Sequence, residues 1–373
     1  MSVPDIWKRC PPALRDSLPA WVLARVVVLA SLGAARFVVD EYPRSSLARG
    51  AQLSLLGWDG GFYHLIARAG YAADAESYRF FPLYPLAARA LAVITPGSTR
   101  VALVLLANAC SLAFVVLLYQ LTMRESDDAT IARRAAWFGC IAPPAFVMVW
   151  GYAEPQFLML AVGAFAMLRT RRFGLAGALA ALAALTRPLG LVMFIPAAVE
   201  AWRGFGSARA RERIMRVVAV VGAPIGLLGY LVWVQDRTGD LLEPYRIQAR
   251  SNHRGATVDP FTGVAHALGE FFDHDRIGPL LHVGWAFVAC ALVVVVFRRL
   301  PVSYGLFAAA TVVIALSSEN LDSFERYAFG AFPLLIAAAL VVRKPRTETL
   351  VFTAMGAAMC LYGIVAALGV YVP

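Results

Sequence analysis

The chain is 373 residues long, 60% hydrophobic and only 16% charged, with a formal net charge of +10. A soluble domain carries nearer one quarter charged residues, so the polar surface that a soluble core would need is missing. The positive charge is arginine, since lysine occurs only at Lys8 and Lys344. These arginines fall in short connections between apolar stretches, which argues against nucleic acid and for anionic lipid headgroups as their partners.

Apolar stretches of helix length alternate with polar segments along the whole chain, the pattern of an all-α, polytopic transmembrane protein. Residues 1–17 carry Lys8, Arg9 and Arg15 and are expected in the cytoplasm. Residues 21–39 read as a first spanning helix, too long for a signal peptide and without a small-residue cleavage motif. Residues 40–81 form a long external loop. Two segments, 57–70 and 82–95, are too short to span and are expected to lie in the interface. Residues 101–121 cross back to Arg124, Arg133 and Arg134. A hairpin of 135–150 and 156–168 follows, with its tip at 151–155 outside. A second, shorter hairpin of 173–186 and 188–202 turns at Arg187. The very basic stretch 203–216 is cytoplasmic, and 217–234 exits into a second external loop, 235–279. The last crossings are 280–297, 302–316, 327–342 and 350–370. About eleven spanning helices result, with a cytoplasmic N-terminus and an external C-terminus in a cell membrane. One transmembrane domain, 1–373, accounts for the chain, and the external loops 40–81 and 235–279 are the segments available to form a site.

Cys110, Cys140, Cys290 and Cys360 lie inside apolar helices, so no external pair implies a disulfide. Internal repeats are not evident, and the inverted-repeat architecture of secondary transporters gains little support.

Four polar clusters all fall on the external side. The first runs from Trp58-Asp59-Gly60-Gly61-Phe62-Tyr63-His64 to Arg68, Gly70 and Tyr71. As a helix it places Phe62, Leu65, Ile66 and Ala69 on one face, with Tyr63, His64 and Arg68 on another. Asp59 reads first as an N-cap and Gly70 as the residue just past the C-terminal end; catalysis is the alternative for Asp59. The second cluster, Phe80-Phe81-Pro82-Leu83-Tyr84-Pro85, opens the next interfacial helix and reads as packing or as a wall of a lipid or sugar pocket. The third joins two hairpin tips, Tyr152-Ala153-Glu154-Pro155 and Thr186-Arg187-Pro188. At 1.5 Å per residue, residues 173–187 span roughly 21 Å, less than the hydrocarbon thickness. Arg187 is therefore expected in the outer leaflet with Glu154 as its partner, either as a structural ion pair or as part of a functional site. In the fourth, Ser323-Phe324-Glu325-Arg326-Tyr327 runs into Phe332-Pro333, and Arg326 at the mouth of a helix is either a snorkelling arginine or a phosphate clamp. The second loop adds Arg246, Arg250, His253 and Arg254 as donors for an anion. Asp273-His274-Asp275 is a poor metal site, because three consecutive side chains seldom converge on one ion. No metal or other cofactor is expected.

Trp58-Asp59-Gly60-Gly61-Phe62-Tyr63, with Ile66, Gly70 and Tyr71 and then Phe80 to Pro85, resembles the bacterial relatives of the PIG-V type mannosyltransferase. That enzyme adds the second mannose in GPI-anchor synthesis. The resemblance continues in order through Tyr152-x-Glu154, Ala184-Leu185-Thr186-Arg187-Pro188-x-Gly190 and Ser323-x-x-Arg326-Tyr327 to Phe332-Pro333. It covers residues 58–333, although 235–279 has no counterpart. It implies a GT-C-like fold with two interfacial helices in the first external loop. It implies an enzyme that moves a sugar, expected to be mannose, from a polyprenyl phosphate donor to a lipid or glycan acceptor on the non-cytoplasmic side, with inversion. It also implies an acidic base in the first external loop, which here is Asp59.

The residue types suit that chemistry. A sugar on a phosphate already has a good leaving group, so one base must take the acceptor hydroxyl proton, and positive charge must meet the developing phosphate. Arg187 and Arg326 are the candidate phosphate ligands, with Arg250 and Arg254 in reserve. His64, roughly one turn beyond Asp59, is a candidate to orient the base or bind sugar. Tyr63, Tyr84, Tyr152 and Glu154 are candidate substrate-binding residues. A transporter or flippase of a lipid-linked substrate is the alternative from another class; it would bind near the midplane with access from both faces. A non-catalytic assembly subunit is the third reading.

Overall fold

The structure, a computed structural model, describes residues 10–251, 253–274 and 277–372. Lys8 and Arg9, expected in the cytoplasm, lie outside them. The first half of the chain forms α1 (Pro12–Glu41), α2 (Ser46–Gly50), α3 (Asp59–Ala69), α4 (Leu83–Leu91), α5 (Thr99–Ser126), α6 (Ala129–Ile141), α7 (Glu154–Arg169) and α8 (Phe173–Thr186). The second half forms α9 (Phe194–Trp202), α10 (Ala210–Thr238), α11 (Glu243–Gln248), α12 (Pro260–His274), α13 (Ile277–Arg299), α14 (Val302–Leu316), α15 (Phe324–Phe329), α16 (Pro333–Val341) and α17 (Pro345–Ala367). The chain is all-α and multi-pass. Among the described residues, α1, α5, α10, α13 and α17 are the five helices long and apolar enough to cross a membrane unaided.

Several expected crossings are jointed rather than continuous, and proline accounts for most of the joints. The segment read as 135–150 ends as an α-helix at Ile141, and Pro143–Met148 is a tight 3-10 turn. The segment 188–202 opens with a 3-10 turn, Pro188–Met193, before α9. The segment 327–342 is split, with α16 restarting at Pro333. Proline has no N–H to give the preceding turn and pushes the residue before it out of the helical region, as at Ala142 and Arg187, whereas Phe332 before Pro333 stays helical. The expected count of about eleven crossings thus contains short and jointed helices beside the five long ones. The second external loop, 235–279, holds α11 and α12.

The bundle has two chemically distinct ends. At one end Arg133 and Arg134 each donate to Glu348 at 2.6 Å, and Arg169 donates to Glu125 at 2.8 Å. Glu200 joins this end, accepting from Ser303 at 2.6 Å. At the other end lie α3, α4, the 151–153 tip, the turn after α8, and α15. Between the ends, α8 and α10 cross in close contact. A Cβ at Gly177, Gly222 or Gly226 would overlap backbone of the facing helix, so these three glycines let the two backbones meet, as small residues do in membrane helix pairs.

Candidate active site

The site is assembled from four segments distant in sequence. Residue 58 sets the first. Trp58 has φ 54°, a conformation unusual for a bulky residue, and its indole N–H donates to the Ala366 carbonyl at 2.9 Å. That anchor makes Trp58 the residue that precedes α3, and Asp59 the first helical residue. Asp59 is therefore not the N-cap that the sequence favours, and its carboxylate is free to face inward. Gly70 does end α3, with φ 85° and its N–H bonded to Ile66. The first loop is tied to the second segment by the Gly151 N–H, which donates to Leu55 O at 2.7 Å. Just beyond, Glu154 opens α7, with Pro155 filling a first-turn position where no N–H is needed.

Arg187 follows α8 in extended conformation. Beyond Pro188 the chain folds back so closely that a Cβ at Gly190 would overlap the Ala184 backbone. Gly190 is therefore what allows the turn that aims Arg187. Arg326 rides on the six-residue α15, which is held by its neighbour Glu325. That buried carboxylate lies 2.9 Å from His282 Nδ1 and accepts from Tyr362 at 3.2 Å and Tyr371 at 3.1 Å.

These segments converge on a chain of charges. Arg326 NH1 donates to Asp59 Oδ2 at 2.7 Å, and Arg326 Nε lies 3.4 Å from Glu154 Oε1. Glu154 is also paired with Arg187. Side-chain exposure is 4% for Glu154 and 5% for Arg326, but 20% for Asp59. The first two are interior, and Asp59 is the carboxylate that reaches space. Aromatic rings floor the cluster: the Arg326 guanidinium sits 5.5 Å from the Tyr152 ring, and Arg254 sits 4.3 Å from that of Tyr327. Burial alone would push the Asp59 carboxyl upward, but Arg326, Arg79 and Arg187 together outweigh it and hold its pKa below the ordinary value. Asp59 is therefore ionised at neutral pH.

Asp59 opens on a cavity of about 420 Å³. Tyr63, Arg79, Arg187, Arg254 and Arg326 also line it, and Leu189, Leu191, Val192 and Ile314 form an apolar wall. Both long loops contribute, residues 59–81 from the first and 244–257 from the second. Among the described lining residues, four guanidinia face one carboxylate, with Glu154 a second behind them.

Several residues singled out in the sequence stand elsewhere. His64 is turned away from the cavity: it lies 3.0 Å from Thr99 Oγ1 and accepts from Arg100 Nε at 3.4 Å. At roughly 100° per residue, the four-residue step from Asp59 to Tyr63 keeps one face, whereas the five-residue step to His64 rotates by roughly 140°. Tyr84 donates to Leu103 O at 2.8 Å and packs edge-on against Tyr63, so it supports the wall from behind. Tyr152 is fully buried beneath Arg326. Arg250 and His253 both bind Glu76, and Arg246 binds Asp240, outside the cavity. Asp275 and the side chains of Asp273 and His274 lie outside the described residues. Arg79 is the lining residue that sequence reading passes over. It sits one position before the Phe80-Phe81-Pro82 motif, and its guanidinium lies 4.5 Å from the Phe80 ring.

The sequence profile of the PIG-V mannosyltransferases matches residues 25–222, more than half of the chain. The chain belongs to the PIG-V mannosyltransferase family. The match ends within α10, so Asp59, Glu154 and Arg187 of this PIG-V family member fall inside it, and Arg254 and Arg326 beyond it. No curated protein sequence matches the chain. Among solved structures, it is similar to ArnT from Cupriavidus metallidurans, crystallised with undecaprenyl phosphate. The TM-score is 0.51 at 17% identity, over 89% of this chain and 63% of that one. It is also similar to the archaeal oligosaccharyltransferase AglB from Archaeoglobus fulgidus, in complex with an inhibitory peptide and a dolichol-phosphate. There the TM-score is 0.48 at 13% identity, over 95% of this chain and 56% of that one. The chain thus spans somewhat over half the length of these neighbours. The likeness to ArnT shows that the PIG-V family member has a GT-C-type membrane fold.

Proposed function

We propose that this PIG-V family member is an inverting membrane glycosyltransferase. It moves a sugar, mannose in this reading, from a polyprenyl phosphate donor to a hydroxyl of a lipid or glycan acceptor. The observation that carries the proposal is the single cavity in which ionised Asp59 stands beside Arg79, Arg187, Arg254 and Arg326 under an apolar wall. A carboxylate, an excess of guanidinia and an apolar surface are what a base, a phosphate and a polyprenyl chain require. Family membership and the undecaprenyl phosphate bound by ArnT support the choice of donor.

In the reaction, the acceptor hydroxyl oxygen attacks the anomeric carbon from the side opposite the phosphate. The bond between that carbon and the phosphate oxygen breaks, and its electron pair stays on the phosphate. The hydroxyl proton passes to Asp59. A carboxylate held below its ordinary pKa is a weak base until something loosens Arg326. The incoming phosphate does so by competing for the guanidinium that Asp59 and Glu154 otherwise share. Arg187 and Arg254 then meet the charge that grows on the leaving phosphate. Those guanidinia take up the developing charge without a metal, so chelators are expected to leave transfer intact.

The orientation we propose follows the charge asymmetry of the two ends. Arg124, Arg133, Arg134, Arg169 and Arg171 gather at the end remote from the cavity, and in this reading that end faces the cytoplasm and the cavity opens on the outer side of a cell membrane. The test is sugar transfer by purified protein from polyprenyl-phosphate-mannose to a mixed lipid extract, with wild type beside Asp59→Asn. Transfer lost in a normally folded variant supports enzyme and base together. Binding of the donor without any transfer by wild type would instead favour the transporter reading.

A further inference from the structure

On the face of α3 turned away from Asp59, a second concavity runs between α3, α4 and the first turn of α5. Its polar end, about 690 Å³, is lined by His64, Arg68, Arg89 and Arg100, and by no carboxylate among the described residues. Its other end is an apolar trough that shares His64 and Arg100 and continues along Leu56, Val101 and Leu105. The two form one amphipathic groove.

The three arginines differ in what they already hold. Arg89 donates to the carbonyls of Ala67 at 2.6 Å and Ile66 at 2.9 Å, closing the C-terminal turn of α3. Arg100 has the neutral His64 ring as its neighbour, and the His64 pKa is kept below its ordinary value by burial, then by Arg100 and Arg68. Among the described residues, no carboxylate pairs with Arg68 or Arg100. Among those residues nothing compensates their charge, and such charge beside an apolar surface calls for an anion that carries its own apolar part. The surroundings say where that anion comes from. Val93 is 83% exposed, Ile94 79%, and Leu105 51%. In a multi-pass protein, exposed apolar side chains of this size face acyl chains.

We propose that this groove holds one anionic phospholipid of the bilayer, with its phosphate between Arg68 and Arg100 and an acyl chain in the trough. A phosphate accepts bidentate hydrogen bonds from guanidinium, and a headgroup with net negative charge is preferred because the groove offers no partner for a cationic one. The groove opens roughly 140° around α3 from Asp59, so its occupant is not a sugar donor in position to react. This inference rests on membrane embedding and on the groove, and it stands whatever reaction Asp59 performs.

The test is lipid retention by the purified full chain, read by native mass spectrometry. Phosphatidylglycerol and phosphatidylcholine are offered in equal amounts to wild type, to the double variant R68Q/R100Q, and to R36Q, an exposed arginine on α1. Wild type should retain one phosphatidylglycerol with at least about tenfold preference, R36Q should match it, and R68Q/R100Q should lose the preference while keeping its elution profile. Equal retention of both lipids by wild type, or an unchanged preference in R68Q/R100Q, overturns the proposal. Displacement of the bound lipid by millimolar inorganic phosphate alone would assign the groove to a soluble phosphate. A stronger preference for undecaprenyl phosphate at the same two arginines would assign it to a polyprenyl carrier. Either of those results also overturns the assignment to a phospholipid.

Discussion

Arg326 donates to the Asp59 carboxylate at 2.7 Å, although the two residues lie 267 positions apart in the chain. One sits at the start of α3 and the other on the six-residue α15. The same guanidinium reaches Glu154, so a single side chain connects the base proposed for the reaction with the buried charge behind it.

Arg326→Ala should weaken donor binding and turnover together, with kcat/KM falling by at least about a hundredfold, of the order seen when a charge-stabilising donor is removed. It should also change the pH profile. With Arg326 present, the Asp59 pKa lies below its ordinary value, so protonation removes the base only below the usual carboxylate range of about 4. Without it, burial still pushes the carboxyl up and the largest opposing charge is gone. The pKa should rise, and an acid limb should appear at higher pH than in wild type. An unchanged donor KM and profile would take Arg326 out of the site.

Glu154→Ala should destabilise the protein rather than merely slow it. Glu154 is the buried counter-charge for Arg187 and Arg326, and removing one partner of a buried pair typically costs about 3–5 kcal/mol. Thermal unfolding in detergent should show a marked drop for Glu154→Ala and a smaller one for Glu154→Gln, which keeps the shape and hydrogen-bonding oxygen. Equal stability of wild type and Glu154→Ala would mean that the arginines find other partners.

Gly190→Ala tests the turn behind Arg187. The added methyl has no room against Ala184, so the backbone after Pro188 must shift, and Arg187 with it. The expected result is a loss of activity larger than the loss of thermal stability. A variant with wild-type kcat would show that Arg187 reaches its place without this turn.

Sidedness is checked with single cysteines introduced into a background that lacks the native ones. A cysteine at position 68, in α3, should react with a membrane-impermeant maleimide added outside intact cells. A cysteine at position 171, on the loop after α7, should react only after the membrane is opened. The reverse pattern would invert the proposed orientation.

The protein's class and most residues of its candidate site are legible in the amino-acid order alone. Sixty per cent hydrophobic residues in helix-length blocks admit no soluble fold, and the motifs around Asp59, Glu154, Arg187 and Arg326 name the family before any coordinates. Some further features are present in the sequence as local patterns that the reading passes over: the proline joints at Pro143 and Pro188, the Gly222-x-x-x-Gly226 spacing, and the helical phase that separates His64 from Asp59, a residue the sequence offered as a partner of that base. Which of the charged residues meet is set by packing and cannot be read from their order. Arg250 and Arg254 are four residues apart on one loop, yet Arg254 lines the cavity and Arg250 pairs with Glu76 outside it. Arg79 carries no motif of its own and enters the site because the loop after α3 folds back over Asp59. Helix formation and membrane insertion depend on local hydropathy, which a sequence displays directly. Ion pairing depends on distances between segments hundreds of residues apart, and packing of the bundle sets those distances.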